Sequence, residues 1–256
     1  MEPIATNDTF SHPIGIETGI AVVIPTLNEA GAIAQVVREV PKGLVREIIV
    51  ADSGSTDGTP EAAKSAGARV VSLREGGYGR ACASGAASAS ADCGVIVFLD
   101  GDGSDRADMM AALTAPILAG SHDFVIGSRT RGNREAGAMN WHQLLAGRMA
   151  GLVTAALYGV RYSDMCAFRA IRRDALDRLG MRELTYGWNI EMQMQAARAG
   201  LRILEVPLPY RRRATGKSKV AGSLSGTIRA AWRIAVTCMR VAMSPRPEPA
   251  RDPGRS

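Results

Sequence analysis

The chain has 256 residues, 46% of them hydrophobic and 22% charged, with a formal net charge of +6. This length allows one large domain or two small ones around a substantial core, and the composition is ordinary for a globular protein. No run of about 18 uncharged apolar residues occurs, which excludes an obvious transmembrane helix. The first residues also lack the pattern of a signal peptide.

The cysteines and the charge distribution narrow the class of protein further. Cys82, Cys93, Cys166 and Cys238 show neither metal-ligand spacing nor a C-x-x-C pair, so we interpret them as reduced, packed thiols of a cytoplasmic chain. Residues 202–256 hold 12 Lys and Arg against 3 Asp and Glu, whereas residues 1–201 hold 19 against 22. The C-terminal segment therefore indicates a nucleic acid, an anionic membrane surface or a phosphorylated substrate as partner. A solvated basic tail is the alternative for its last dozen residues.

In chain order, short apolar runs rich in Val and Ile alternate with helix-like segments from residue 20 to residue 129. Such runs are typical of strands that are covered by helices on both faces, and their alternation with helices favours right-handed crossovers. We predict an α/β fold with a mostly parallel sheet flanked by helices. The predicted strands are 20–26, 47–52, 68–73, 94–100 and 123–129, and the predicted helices are 30–40, 59–67, 79–91 and 106–120.

After Arg129 the pattern becomes less regular. We predict a polar loop over 129–140, a helix over 141–159, a short strand running into a helix over 167–176, a helix over 188–200, a last strand over 201–210 and a final helix near 224–243. Pro207 and Pro209 place the last strand at a sheet edge. The expected organisation is a lead-in (1–19), one domain (20–223), a basic amphipathic helix (224–243) and a disordered tail (244–256).

Polar residues follow four of the predicted strands, where ligands bind in open parallel sheets. They are Thr26, Asn28 and Glu29 after the first strand, Asp52, Ser53, Ser55 and Asp57 after the second, Asp100, Asp102 and Ser104 after the fourth, and Arg129 after the fifth. We expect them to converge on one crevice. Asn28 and Asp57 have a simpler alternative role as helix caps.

The stretch "VIVFLDGDGSD" is the most informative, because a buried strand ends on closely spaced carboxylates. Asp100 and Asp102 are separated by a glycine that lets the backbone bend, and hard oxygen donors at this spacing suit Mg²⁺ or Mn²⁺ shared with a diphosphate. Asp105 and Asp108 lie at the start of a predicted helix, where negative charge suits the helix dipole, and we interpret both as structural.

The segments "VVIPTLNEAGAI", "IIVADSGSTDGT", "GVIVFLDGDGSD" and "VIGSRT", in this order and spacing, resemble the nucleotide-sugar glycosyltransferases of family 2, which have the Rossmann-like GT-A fold. The later "FRAIRRDAL" and "EMQMQAARAGLRILEVPLPYRRRATGKSK" are similar to the branch that makes polyprenyl-phosphate (dolichol-phosphate) sugars. The resemblance covers roughly residues 20–225. It implies a metal-dependent transfer from a UDP- or GDP-linked sugar.

The resemblance also implies roles for individual residues. Pro25, Asn28, Glu29 and Asp52 would hold the nucleoside, with Asp52 at the base. Asp100 and Asp102 would form the D-x-D pair, with Asp102 closest to the metal, and Arg129 would face a phosphate. Two departures stand out: Ser104 replaces the usual glutamine of the metal site, and "SDMCAFRA" replaces the usual Asp-Ser-Gly-Phe, which leaves the roles of Asp164 and Arg169 open.

Further cations are candidates for phosphate binding. Arg80 lies in "GGYGRACASG", whose glycines lack the spacing of a dinucleotide-binding motif and follow the third strand, but its side chain could reach a diphosphate. In "YRRRATGKSK", Arg213, Lys217 and Lys219 could form an anion clamp that closes on phosphate, or the segment could be a solvated loop. The cluster lacks interleaved aromatic residues, so nucleic acid is a poor fit.

Together these features predict an inverting glycosyltransferase that moves a hexose to polyprenyl monophosphate. Alternatives are transfer to a soluble hydroxyl acceptor, for which Glu191 or Asp164 would serve as the base, and a non-catalytic nucleotide-sugar binding protein. The helix 224–243 could lie in a membrane interface, pack on the domain or meet a second subunit. The expected location is the cytoplasm, either free or peripheral on the inner face of the plasma membrane.

Overall fold

The computed structural model describes residues 18–214 and 224–244. Most of the predicted lead-in and tail therefore lies outside the described residues. Within them, seven strands form a single sheet in the order β3-β2-β1-β4-β6-β5-β7. The strands are β1 (Gly19–Thr26), β2 (Glu47–Asp52), β3 (Arg69–Ser72), β4 (Cys93–Phe98), β5 (Phe124–Ser128), β6 (Arg169–Arg172) and β7 (Ile203–Pro207).

The prediction of a mostly parallel sheet is confirmed, with one strand that runs the other way. β6 pairs antiparallel with both β4 and β5, whereas the other paired strands are parallel. Because β6 is reversed, the segment that precedes it lies at the edge where the parallel strands end. β7 is the last strand of the sheet, as its prolines predicted, and its parallel pairing with β5 brings the residues after Pro207 to that same edge.

The predicted helices are present, with differences at their ends. They are α1 (Ala30–Glu39), α2 (Thr59–Ser65), α3 (Tyr78–Ala87), α4 (Met110–Leu118), α5 (Trp141–Tyr158), α6 (Arg173–Leu179), α7 (Trp188–Arg198) and α8 (Leu224–Met243). α4 begins later than predicted, after a 3₁₀ turn at Ala107–Met109. The delay has a local cause, since the Asp105 carboxylate turns back to accept a hydrogen bond from the Asp100 N–H (3.1 Å).

The core lies on both faces of the central strands. β1 is buried from Ile20 to Thr26 and β5 along its whole length, as expected for strands covered by helices. Phe98, Phe124 and Phe168 are almost wholly inaccessible, and full burial of such a side chain contributes roughly 1.5–3 kcal/mol. This packing holds the carboxyl ends of the strands in fixed relative positions.

α5 and α8 lie outside the sheet and carry apolar side chains that face solvent. On α5 the exposed fractions are 74% for Trp141, 50% for Leu145, 53% for Met149 and 51% for Leu152. α8 packs against α7 with Thr237 and Val241 buried, while Trp232, Met239 and Met243 are exposed. In residues 18–214 and 224–244, no helix combines the length and apolar character needed to cross a membrane.

Two buried glycines of α5 give a matched test of its packing. A Cβ at Gly151 would collide with the backbone carbonyl oxygen of Tyr162, whereas the nearest atom to a Cβ at Gly147 is 3.7 Å away. We expect Gly151→Ala to lower the free energy of unfolding by about 1–3 kcal/mol, because the clash outweighs the gain in helix propensity. Gly147→Ala should be neutral or stabilise by up to about 1 kcal/mol. Urea denaturation checks both, and equal effects would contradict the close contact.

Candidate functional site

The carboxyl edge of the sheet borders a cavity of about 1120 Å³. Its walls come from the ends of β1, β4 and β5, the start of α3, one side of α5, and segments around residues 185–189 and 210–213. The cavity brings together eight of the residues proposed from the sequence. They are Pro25, Thr26, Glu29, Ser53, Asp100, Asp102, Arg129 and Arg213.

Three carboxylates crowd the end of β4. The Asp100 carboxylate accepts a hydrogen bond from the Tyr78 hydroxyl (3.1 Å), and Asp102 Oδ1 accepts one from the Ser104 N–H (2.9 Å) and another from its hydroxyl. Burial and repulsion from Asp102 raise the pKa of Asp100 to about 6. Burial and the charges of Asp100 and Asp102 raise the pKa of Asp105 to about 8. Such a cluster favours a positive partner, because each carboxylate disfavours ionisation of the next.

Arg213 supplies positive charge to this cluster. Its Nε and Nη2 lie 2.8 Å and 2.6 Å from Asp102 Oδ2, and Nη2 is 3.5 Å from Glu29 Oε1. Backbone hydrogen bonds fix the segment beside the acidic turn: the Arg211 N–H donates to the Ser104 carbonyl and the Ala214 N–H to the Asp102 carbonyl, both at 3.0 Å. The sequence indicated a phosphate clamp here but not its contact with the carboxylates.

Two of the three proposed metal ligands face the cavity. Asp100 and Asp102 line it, whereas Ser104 is buried and its hydroxyl donates to Asp102, which orients that carboxylate. Among the residues that the structure describes, no group of three His, Cys, Asp or Glu side chains is placed to hold a metal. The donor set nevertheless fits Mg²⁺ or Mn²⁺, which commonly take one or two protein carboxylates and complete their coordination with phosphate oxygens and water.

The residues proposed for the nucleoside form the framework of the cavity wall. In register across the sheet, Thr26 lies beside Asp52, and its hydroxyl donates to Asp52 Oδ1 at 3.1 Å. Asp52 Oδ2 accepts the N–H groups of Gly54 (3.1 Å) and Ser55 (2.9 Å). Asp52 is buried behind Ser53, which lines the cavity. The structure therefore places Asp52 where it shapes the loop.

Asn28 and Asp57 join the loops after β1 and β2. Asn28 has a positive φ of 52°, and its side-chain oxygen accepts the Thr56 N–H at 2.9 Å. Asp57 accepts the first N–H groups of two helices, Ala30 of α1 and Thr59 of α2, each at 3.1 Å. These contacts agree with the capping alternative for Asp57, while Asn28 bridges two loops and does not line the cavity.

Arg129 and Asp164 form a buried ion pair beside the carboxylate cluster. Asp164 Oδ2 accepts from the Arg129 backbone N–H (2.9 Å) and Nε (2.7 Å), and Oδ1 accepts from Nη2 (2.8 Å). The guanidinium also lies over the Tyr210 ring, 5.0 Å from its centre, which is within cation–π range. Although burial opposes ionisation, Arg129 lowers the pKa of Asp164. Asp164 therefore orients Arg129, and both of its oxygens are occupied.

Two other residues proposed from the sequence, Glu191 and Arg80, do not line the cavity. Glu191 is buried and accepts from the N–H groups of Arg182 (3.0 Å) and Glu183 (2.6 Å) and from Arg240 of α8 (2.9 Å). Arg80 pairs with Glu75 at 2.9 Å. Lys217 and Lys219 lie outside the described residues.

Several residues of the site were not singled out from the sequence. Tyr78, Asn189 and Tyr210 supply polar atoms, and Trp141, Leu145, Ala146, Met149, Met165 and Ile234 supply apolar ones. Arg169, whose role was open, is wholly buried and donates to the carbonyls of Cys166 and Asn189. The sequence contained one usable signal: Trp141, Leu145 and Met149 recur every four residues, which puts them on one helix face.

Comparisons with known proteins identify a family that this chain matches. The profile of Glycosyl transferase family 2 matches residues 21–180. The dolichyl-phosphate hexose transferase of Haloferax volcanii is 34% identical over 203 residues, 78% of this chain and 86% of that one. The polyprenol monophosphomannose synthase of Mycolicibacterium smegmatis is 30% identical over 217 residues, 79% and 81% of the two chains.

A solved structure with a different acceptor is also similar. Glucosyl-3-phosphoglycerate synthase from Mycobacterium tuberculosis, in complex with Mn²⁺, UDP-glucose and phosphoglyceric acid, superposes with a TM-score of 0.71 at 26% identity. The match covers 89% of this chain and 81% of that one. The likeness therefore covers most of both chains, and the names of these relatives point to different acceptors.

The ion pair of Arg129 and Asp164 can be tested through stability. Asp164→Asn leaves the Arg129 charge buried without a carboxylate, and removing one partner of such a pair costs about 3–5 kcal/mol. Asp174→Asn is the matched control, since this half-exposed aspartate also pairs with arginines, Arg172 at 3.0 Å and Arg178 at 2.6 Å. This substitution should lower the free energy of unfolding by at most about 1 kcal/mol. Urea denaturation compares them, and a similar cost for both would contradict the assignment.

Proposed function

Because the chain belongs to glycosyl transferase family 2, we propose that it transfers a hexose from a nucleoside diphosphate sugar to a polyprenyl monophosphate. One observation carries the choice of acceptor. The cavity lining combines charged side chains, Asp100, Asp102 and Arg129, which we call its charged end, with apolar side chains on the exposed face of α5, which we call its apolar end. An acceptor with a phosphate head and a hydrocarbon tail matches both ends.

The apolar end is formed largely by α5. Trp141, Leu145 and Met149 line the cavity and are also at least half exposed, and Leu152 continues the same row along the helix. Contiguous exposed apolar surface of this kind is typical of an interaction site. A small polar acid would leave this surface uncovered, whereas an isoprenoid chain would bury it.

The donor would bind at the charged end. Asp100 and Asp102 would hold a divalent cation, which when bound supplies positive charge that neutralises the departing diphosphate. Pro25 and Asp52 at the ends of β1 and β2, with Asn28 and Glu29 just after β1, would frame the nucleoside. Arg80 would contribute only if it left Glu75. Arg129 would bind the acceptor phosphate through N–H groups that Asp164 does not use, as guanidinium groups bind phosphate oxygens well. Arg213, Lys217 and Lys219 remain proposed phosphate ligands.

The reaction needs no base from the protein. A phosphate monoester is ionised at neutral pH, so its oxygen attacks the sugar C1 directly, forming the new C1–O bond as the bond to the diphosphate oxygen breaks with inversion. The positions of the two candidate bases support this scheme. Glu191 lies outside the cavity. The buried Asp164 carboxylate already accepts hydrogen bonds from the Arg129 guanidinium and the Met165 N–H.

A lipid acceptor would require contact with a membrane surface, and two helices suit that contact. Neither α5 nor α8 contains an acidic residue. Exposed cations, Arg148 and Arg233, accompany the exposed Trp141 and Trp232. Basic helices with exposed tryptophan bind anionic lipid interfaces, so we propose peripheral binding at the inner face of the plasma membrane.

The donor and metal can be tested by thermal shift. We expect UDP- or GDP-hexose with Mn²⁺ or Mg²⁺ to stabilise the protein by about 2.7 kcal/mol at a hundredfold excess over Kd, and less without the cation. Asp102→Ala should abolish the part of the shift that depends on the cation. An unchanged shift in Asp102→Ala would contradict the metal assignment, and no shift with any sugar nucleotide would overturn the proposed function.

The acceptor can be tested on α5. We expect Leu145→Gln with Met149→Gln to lower kcat/KM for polyprenyl phosphate about tenfold or more, because the apolar contact with the chain is lost. Leu157→Gln is the control, since Leu157 is exposed on α5 and does not line the cavity. Transfer of radiolabelled hexose measures both variants.

The same assay with 3-phosphoglycerate tests the second candidate, because phosphoglycerate occupies the similar mycobacterial structure. Preference for 3-phosphoglycerate over polyprenyl phosphate would reject the lipid acceptor.

A further inference from the structure

We propose that Arg213 and the divalent cation compete for Asp102, so that the cation binds tightly only together with the nucleoside diphosphate. This inference rests on the proposed function, since it concerns the cation and diphosphate of that same site. The competition adds a property that the proposed function does not require. The cation and the diphosphate would bind cooperatively, and Arg213 would be the residue that couples them.

The competition follows from how the Asp102 carboxylate is used. Oδ1 accepts two hydrogen bonds from Ser104. Oδ2, the other oxygen, lies 2.8 Å from Nε and 2.6 Å from Nη2 of Arg213. Mg²⁺ binds oxygen at about 2.0–2.1 Å. A cation on Oδ2 would therefore face a guanidinium on the same atom, and the two positive charges would repel strongly in a half-buried site.

The side chain of Arg213 can leave Asp102 without moving its backbone. The flanking hydrogen bonds of Arg211 and Ala214 to the acidic turn hold the segment in place. The guanidinium itself lines the cavity, and about a quarter of the side chain is exposed (26%). Its second partner, Glu29 Oε1, is 3.5 Å away and offers only weak retention.

A diphosphate would resolve the conflict. Its oxygens can bind the cation and accept hydrogen bonds from a displaced guanidinium at the same time. Each ligand then raises the affinity for the other by the same factor, because coupling between binding free energies is reciprocal. Without the diphosphate, a cation that binds Asp102 must displace Arg213 from that carboxylate, and no diphosphate oxygen is present to accept the displaced guanidinium.

The test measures Mn²⁺ affinity in the absence and presence of UDP or GDP, from the electron paramagnetic resonance signal of free Mn²⁺. We expect Arg213→Gln to bind Mn²⁺ alone about tenfold more tightly than the unaltered protein, within the range typical of coupled sites. This advantage should shrink or reverse when the diphosphate is added. Arg131→Gln is the control for loss of one positive charge, as Arg131 is largely exposed and does not line the cavity; its Mn²⁺ affinity should be unchanged.

Each outcome has a definite meaning. Equal or weaker Mn²⁺ binding by folded Arg213→Gln would overturn the competition while leaving the proposed function intact. Failure of the unaltered protein to bind Mn²⁺ even with UDP or GDP would instead overturn the metal-dependent function. Arg213→Lys provides a second variant if the glutamine variant does not fold. Because a single ammonium makes fewer contacts with Asp102, this variant should bind Mn²⁺ more tightly than the unaltered protein. An Mn²⁺ affinity no higher than that of the unaltered protein would reject the proposal.

Discussion

The site depends on negative charge that the fold concentrates at the end of β4. Asp100, Asp102 and Asp105 lie within one short turn, and burial makes their mutual repulsion costly, as the raised pKa values of Asp100 and Asp105 indicate. The turn is stable because hydrogen bonds from Tyr78, Ser104 and the backbone support its carboxylates. Cations must then approach from other elements: Arg129 comes directly after β5, and Arg213 lies in the segment after β7.

Much of this arrangement could be predicted from the sequence because its signals are local. Apolar runs that end on polar residues located the ends of β1, β2, β4 and β5, and alternation with helices gave the parallel direction of the sheet. The spacing of Asp100 and Asp102 on either side of a glycine indicated a cation site without knowledge of any distant contact. These features depend on residues that are close together in the sequence, so their relative positions can be inferred from the sequence alone.

The remaining features depend on pairings across the chain. Arg129 and Asp164 are 35 residues apart and Arg213 and Asp102 are 111 apart, so their contacts follow from the reversed direction of β6 and the position of β7. Glu191 was a candidate base for a hydroxyl acceptor, yet Arg240 of α8, 49 residues away in sequence, pairs with it. Asp105 was interpreted as a helix-start residue, and only the folded turn shows that it belongs with Asp100.

The reversed strand also sets when the centre of the sheet can close. β6 lies between β4 and β5, so each of those strands has an unpaired inner edge until residues 169–172 are in place. Open edges of buried strands are prone to pair with other chains, and pairing between distant segments is slow. During synthesis on the ribosome, the centre of the sheet therefore stays open until Arg172 has left the exit tunnel, and the facing edges of β4 and β5 are exposed to other chains in that interval.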